Sequence, residues 1–218
     1  MKRRQAIKIT SIGAIGLSAS ISSSCSKNTY SFNHGVASGD PLEDRVILWT
    51  RVTPQQAGPV EAILEISEDD NFSKIAYSKK LRTSSLSDYT IKYDFLAKQY
   101  CDSDKGFFYR FRAGSSISEI GKSKTFSKNT VSAKIGVFSC SNFPAGYFNA
   151  YQAAAEKNDL DLWLHLGDYL YEYPMGGYAT DNAEKLGRTP SPMHEMITLS
   201  DYRQRHAQYK LDQGSIAL

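Results

Sequence analysis

From residue 30 to about residue 128 the apolar positions recur with a period of two. Val46-Ile47-Leu48-Trp49-Thr50-Arg51-Val52 reads as a strand that Pro54 ends. Val60 to Ser67 alternates, with Ala62, Leu64 and Ile66 on one face and Glu61, Ile63 and Glu65 on the other. Asp69-Asp70-Asn71 supplies a turn, and Lys74 to Leu81 and Tyr89 to Phe95 are two further strands. In Phe107-Phe108-Tyr109-Arg110-Phe111-Arg112 rings and arginines interleave. That pattern suits core packing with guanidinium groups over rings better than a binding surface. Gly39-Asp40-Pro41 marks a turn, and His34 before it is read as a structural or surface histidine. Short strands separated by turns predict an antiparallel β-sandwich, fibronectin- or immunoglobulin-like, over residues 30–128.

At Ala133 the period changes. Ile135-Gly136-Val137-Phe138 is an unbroken apolar run, as expected of a buried parallel strand, and it leads into Ser139-Cys140-Ser141. Gly146 to Lys157 has helical spacing, with Phe148, Tyr151 and Ala155 on one face. Leu160 to Leu166 is a second buried strand, followed by Gly167-Asp168-Tyr169-Leu170-Tyr171-Glu172. Strand, helix, strand is the unit of a parallel α/β sheet. The chain therefore reads as α+β with two domains, residues 30–128 and 133–218. Ligands gather at the carboxyl ends of parallel strands, so Cys140 and Asp168, each just past a strand end, should face one crevice. The stretch from Pro174 to Pro192 is long for a loop, either a cover over a site or a slack connector.

Composition narrows the class. Of 218 residues, 41% are hydrophobic and 22% charged, which suits a globular chain and excludes a disordered or multi-span one. The net charge of +3 is local: Lys2, Arg3, Arg4 and Lys8 carry +4 before residue 9, and the rest of the chain carries −1. No nucleic-acid-binding surface is implied. Residues 9–24 are uncharged but rich in Ser and Gly, too short and polar for a span of about 20 apolar residues. Residues 1–25 read as a secretory signal peptide. Arg3-Arg4-Gln5-Ala6-Ile7-Lys8 resembles a twin-arginine signal, addressed to the twin-arginine export machinery, which moves folded proteins that often carry a preloaded metal. Cys25, behind Ile21-Ser22-Ser23-Ser24, is either a lipidation site, with Ser22 where Leu is usual, or idle in a soluble exported protein. The expected location is periplasmic or extracellular, with the membrane reached only through such a lipid anchor. Three cysteines make no disulfide framework. Cys101 reads as an incidental loop thiol, and Asp102 and Asp104 lack the other ligands of a calcium loop.

Candidate chemistry follows the two parallel strands. Gly167 lets the backbone turn so that Asp168 can reach a metal. Strand, Gly, Asp, two residues and a further ligand is the layout of dinuclear metallophosphoesterases. There the later ligand is usually a carboxylate and the first strand ends in Asp-x-His; here the positions hold Tyr171 and Ser139-Cys140. A thiolate and a phenolate together favour a trivalent or soft first-row ion, iron before magnesium. Such a cation lowers both pKa values enough for deprotonation. His165 either supports the ligands from behind or is packed within its strand, the preferred reading.

Taken together, Ser139-Cys140, Gly146-Tyr147-Phe148-Asn149-Ala150-Tyr151, Leu160-Asp161-Leu162 and the run from His165 to Tyr173 resemble the PhoD-type alkaline phosphatase family. The segments 35–41 and 46–51 resemble that family's N-terminal sandwich domain. Thr198 to Arg203, His206 and Tyr209-Lys210 resemble the helix beyond its first metal loops. The resemblance implies a secreted phosphomonoesterase or phosphodiesterase with iron (Fe3+) and calcium. By position Cys140 and Tyr171 would be iron ligands and Asp168 would bridge iron and calcium. A metal-activated oxygen or hydroxide, not a side chain, would be the nucleophile. Family members continue for hundreds of residues to an Asp-His-Glu motif and a later Asp/His-bearing loop. Met193-His194-Glu195-Met196 does not match that motif. The expectation is therefore a fragment or truncated product that by itself binds metal poorly and turns over little phosphoester. The competing reading is a non-catalytic envelope protein whose sandwich binds glycan or protein beside a vestigial α/β segment.

Overall fold

The structure, a computed structural model, describes residues 29–102, 105–212 and 214. The export signal read at residues 1–25, Cys25 and Asp104 lie outside them. In chain order the strands are β1 (Tyr30–Ser31), β2 (Val36–Gly39), β3 (Val46–Arg51), β4 (Thr53–Pro54), β5 (Val60–Ser67), β6 (Ile75–Thr83), β7 (Thr90–Phe95), β8 (Phe107–Ala113), β9 (Ser116–Ile117) and β10 (Gly121–Ser123). One antiparallel sheet has the order β2-β3-β7, and a second has the order β10-β8-β5-β6 with β9 on β8. β1 pairs with β4 apart from both.

The period-two pattern explains how the sheets meet. Val46 and Leu48 of β3, with Ile91 and Phe95 of β7, share one buried core with Ala62, Leu64 and Ile66 of β5 and Phe107, Tyr109 and Phe111 of β8. Burying each such side chain stabilises by about 1.5–3 kcal/mol. Glu65, on the opposite face of β5, is buried as well. It is 7% exposed, between Arg110 at 2.8 Å and Arg112 at 2.9 Å on the neighbouring strand. Arg110 also lies 4.0 Å over the Phe72 ring, as the interleaved pattern predicted. Gly121, opposite Tyr109, must be glycine, because a Cβ there would enter the tyrosine ring.

The chain then forms β11 (Ile135–Phe138), α1 (Asn149–Lys157), β12 (Leu162–His165) and α2 (Leu199–Tyr209). β11 and β12 pair in parallel, Ile135 opposite Leu162 and Phe138 opposite His165. Asp161 secures their entry: its carboxylate accepts the Lys134 N–H at 2.7 Å and pairs with Lys124. Phe138 packs on Tyr151 of α1, and Phe143, Phe148, Tyr151 and Tyr209 form a small core. The two strands were expected to be buried, and here the structure corrects the sequence reading: Ile135 is 49% exposed, Val137 58% and Leu164 45%. A parallel sheet is dry only when helices cover both faces, and among the described residues these positions stay open.

α2 begins with a reciprocal cap between Thr198 and Asp201. It leans on the first sheet through the His206 and Trp49 rings, 6.4 Å apart, and on the β6–β7 connection through Arg203, which donates to the Leu86 carbonyl at 2.9 Å. Among the described residues no helix is long and apolar enough to cross a membrane.

Candidate metal centre

Beyond the strand ends the two loops remain paired. Leu166 N–H donates to the Phe138 carbonyl at 2.8 Å, Cys140 N–H to the Gly167 carbonyl at 3.1 Å, and Ser141 N–H to the Asp168 carbonyl at 2.9 Å. This holds Cys140 beside Asp168, which parallel register alone would not do. Both adopt left-handed backbone, φ 60° at Cys140 and 54° at Asp168, and Gly167 between strand and ligand has φ 130°. A non-glycine residue pays about 1–2 kcal/mol for that conformation. Two such residues at facing strand ends are typical of strain retained for function.

The side chains converge on one atom. The Cys140 thiol donates to Asp168 Oδ2 at 3.6 Å, and the Tyr171 hydroxyl donates to the same oxygen at 3.4 Å. Partial burial first, then the Cys140 hydrogen bond and the Asp168 charge, push the Tyr171 phenol well above its ordinary range. Among the described residues no Lys or Arg forms an ion pair with Asp168. A carboxylate, a thiol and a phenol around one point are oxygen and sulfur donors that a multivalent cation can draw together. The donor set thus fits a metal ion. Among the described residues no group of three or more His, Cys, Asp and Glu has that geometry; the third donor here is a tyrosine.

His165 stands behind the cluster. Its Nδ1 accepts the Gly167 N–H at 3.4 Å and its Nε2 lies 3.0 Å from Ser141 Oγ, which in turn contacts the Tyr151 hydroxyl. The imidazole is a brace between the two loops. Burial lowers its pKa, against the opposing charge of Asp168, so it favours the neutral ring that this bonding requires.

Sequence reasoning missed Arg205. It is 1% exposed and donates to four carbonyls: Tyr171 at 2.5 Å, Pro192 at 2.8 Å, Ser191 at 3.2 Å and Tyr173 at 3.4 Å. One guanidinium therefore ties α2 to the loop that carries Tyr171. A signal was available, because Arg205 sits four residues before Tyr209 on one helix face, but an arginine there reads as solvated. His34 is buried against Arg51, His194 is exposed beside Asp201, and Cys101 is a partly buried thiol pushed up to about 11 by burial. A cavity of about 610 Å3 lies between Arg51, Asp88 and α2, and none of the three converging side chains lines it.

Residues 135–218 match the family model described as PhoD-like phosphatase, and residues 18–127 match the model of the PhoD-like phosphatase N-terminal domain. The chain is 37% identical over 216 residues to alkaline phosphatase D of Bacillus subtilis (strain 168), covering 93% of this chain and 34% of that protein. A solved structure of PhoD superimposes with a TM-score of 0.75 at 34% identity, covering 85% of this chain and 36% of that one. The chain thus spans about a third of the length of the curated relative it matches.

Proposed function

This chain belongs to the PhoD-like phosphatase family, and from that premise we propose that it forms the opening part of an exported, metal-dependent phosphoric-ester hydrolase. In this reading the two sheets are its fibronectin- or immunoglobulin-like sandwich, and β11, α1 and β12 begin its α/β metallophosphoesterase domain. One observation carries the reading: the Cys140 thiol and the Tyr171 phenol both reach Asp168 Oδ2.

Cys140 and Tyr171 would hold iron, and Asp168, central to the cluster, would hold iron and share calcium. When bound, the metals supply an acidified attacking water and positive charge for the phosphoryl oxygens. The chain's own residues contribute position. Cross-bonding of the loops fixes Cys140 against Asp168, His165 sets the Gly167 turn from which Asp168 projects, and Arg205 fixes the backbone of Tyr171. Cations of this class take four or more ligands. With three donors among the described residues, hydrolysis by these 218 residues alone is expected to be slow.

Ferric iron added to the purified chain should produce a visible phenolate-to-iron charge-transfer band. Tyr171→Phe should remove the band, and Asp168→Asn should weaken iron binding by about tenfold or more. Bound iron without the band, or a band that persists in Tyr171→Phe, refutes this ligand set.

A further inference from the structure

The loop after Asp168 presents an aromatic cluster of which only Tyr171 belongs to the proposed metal ligands. Tyr171, Tyr173 and Tyr178 touch one another in all three pairs. Ring centroids are 6.1 Å apart for Tyr171 and Tyr173, 6.0 Å for Tyr171 and Tyr178, and 5.6 Å for Tyr173 and Tyr178. Rings assembled only to hold a loop together would be buried, yet Tyr173 is 41% and Tyr178 62% exposed. The loop beneath them is firmly held. Gly177 N–H donates to the Pro174 carbonyl at 3.0 Å, and Gly176 N–H donates to Thr180 Oγ1 at 3.1 Å. The Thr180 hydroxyl donates to the Gly177 carbonyl at 3.0 Å, and Met175 N–H donates to the Met193 carbonyl at 2.7 Å. At the near end Arg205 takes the carbonyls of Tyr171 and Tyr173. Of the two readings of the 174–192 stretch, this pinning speaks against a slack connector.

Exposed rings on a rigid support are a surface on which another flat ring can stack at little entropic cost. Their position says what that ring belongs to. Tyr171 is shared: its hydroxyl lies 3.4 Å from Asp168 Oδ2 while its ring touches both Tyr173 and Tyr178. A group lying on the two exposed tyrosines is one ring away from the converging acidic atoms. We propose that Tyr173 and Tyr178 form a stacking platform for the organic group of the substrate, selecting phosphoesters whose alcohol carries an aromatic ring, aryl or nucleobase, over aliphatic ones. This rests on the phosphoester reading for the phosphoryl end, and on the tyrosine geometry alone for the ring end.

Saturation-transfer NMR tests the two ends separately on the 218-residue chain, without turnover. The probes are phenylphosphonate and methylphosphonate, each with the wild type and with the Tyr173→Ser, Tyr178→Ser double variant, in ferric and calcium buffer. The expected result is strong transfer to the phenyl protons in the wild type and a loss of at least fivefold in the variant, with methylphosphonate transfer equal in both. Circular dichroism and the ferric band from Tyr171 confirm that the variant remains folded around its site. Phenyl transfer that is equal in wild type and variant, or absent in both, overturns the platform. Phenyl transfer that depends on the tyrosines while methylphosphonate shows none supports the platform and sinks the phosphoester reading instead.

Discussion

Arg205→Met is the substitution on which the local architecture can be judged most directly. Methionine keeps much of the volume and the helix propensity, so the change isolates the guanidinium. Four carbonyls lose their donor, those of Tyr171, Ser191, Tyr173 and Pro192. Hydrogen bonds to a charged group contribute about 1.5–3 kcal/mol each. Against this, removing the charge relieves a desolvation cost of several kcal/mol, which burial of Arg205 shows in its lowered pKa. The carbonyls can also turn toward water once the loop loosens. The net loss should be about 2–4 kcal/mol, concentrated between residues 171 and 192. Hydrogen exchange is the suitable assay, because a two-layer chain need not unfold in one step. Amides of that loop should exchange about 30-fold faster or more, while those of β5 and β8 stay unchanged. Arg205→Lys, with a point charge in place of a fork, should rescue only part of the effect. Loop protection left intact in Arg205→Met would mean that α2 and the tyrosine loop are held together by packing alone.

Two titrations follow from buried groups. Burial alone would raise the Glu65 carboxyl, but its hydrogen bonds with Arg110 and Arg112 outweigh that and hold it below its ordinary 4.5. A depressed carboxylate contributes stability above its unfolded pKa and loses it as pH falls through the folded one. Thermal melts should therefore fall below about pH 4.5, and less steeply in Glu65→Gln; identical acid profiles would show that the pair is energetically idle. Burial, then the Arg51 charge, lower His34 to about 4, so the native state holds it neutral. Its contribution is complete above about pH 6.5 and is lost as pH falls toward about 4. Replacing it by Gln should flatten the stability profile in that window, and an unchanged slope between pH 6.5 and 4 contradicts the assignment.

Much of this molecule is readable from the order of its residues. Alternation in β5 and β8 placed Leu64, Ile66, Tyr109 and Phe111 in a core, because a strand turns every second side chain to the same face. The change of period at residue 133 announced strand, helix, strand, and a parallel pair must bring its two carboxyl ends together, so Cys140 and Asp168 were assignable to one crevice. Spacing could not say that the loops stay bonded beyond the strands, or that two non-glycine residues take left-handed backbone to aim at a common point. Those are products of contacts between segments 28 residues apart. Alternation put Glu65 on the face opposite Leu64 and Ile66 without naming a partner for it; its two arginines lie on a neighbouring strand. Ile135, Val137 and Leu164 looked buried and are open, because apolar character states a preference while only the surrounding elements supply the cover. The same holds for Arg205 and the tyrosines: what a polar or aromatic side chain does depends on which distant backbone reaches it, and tertiary packing alone decides that.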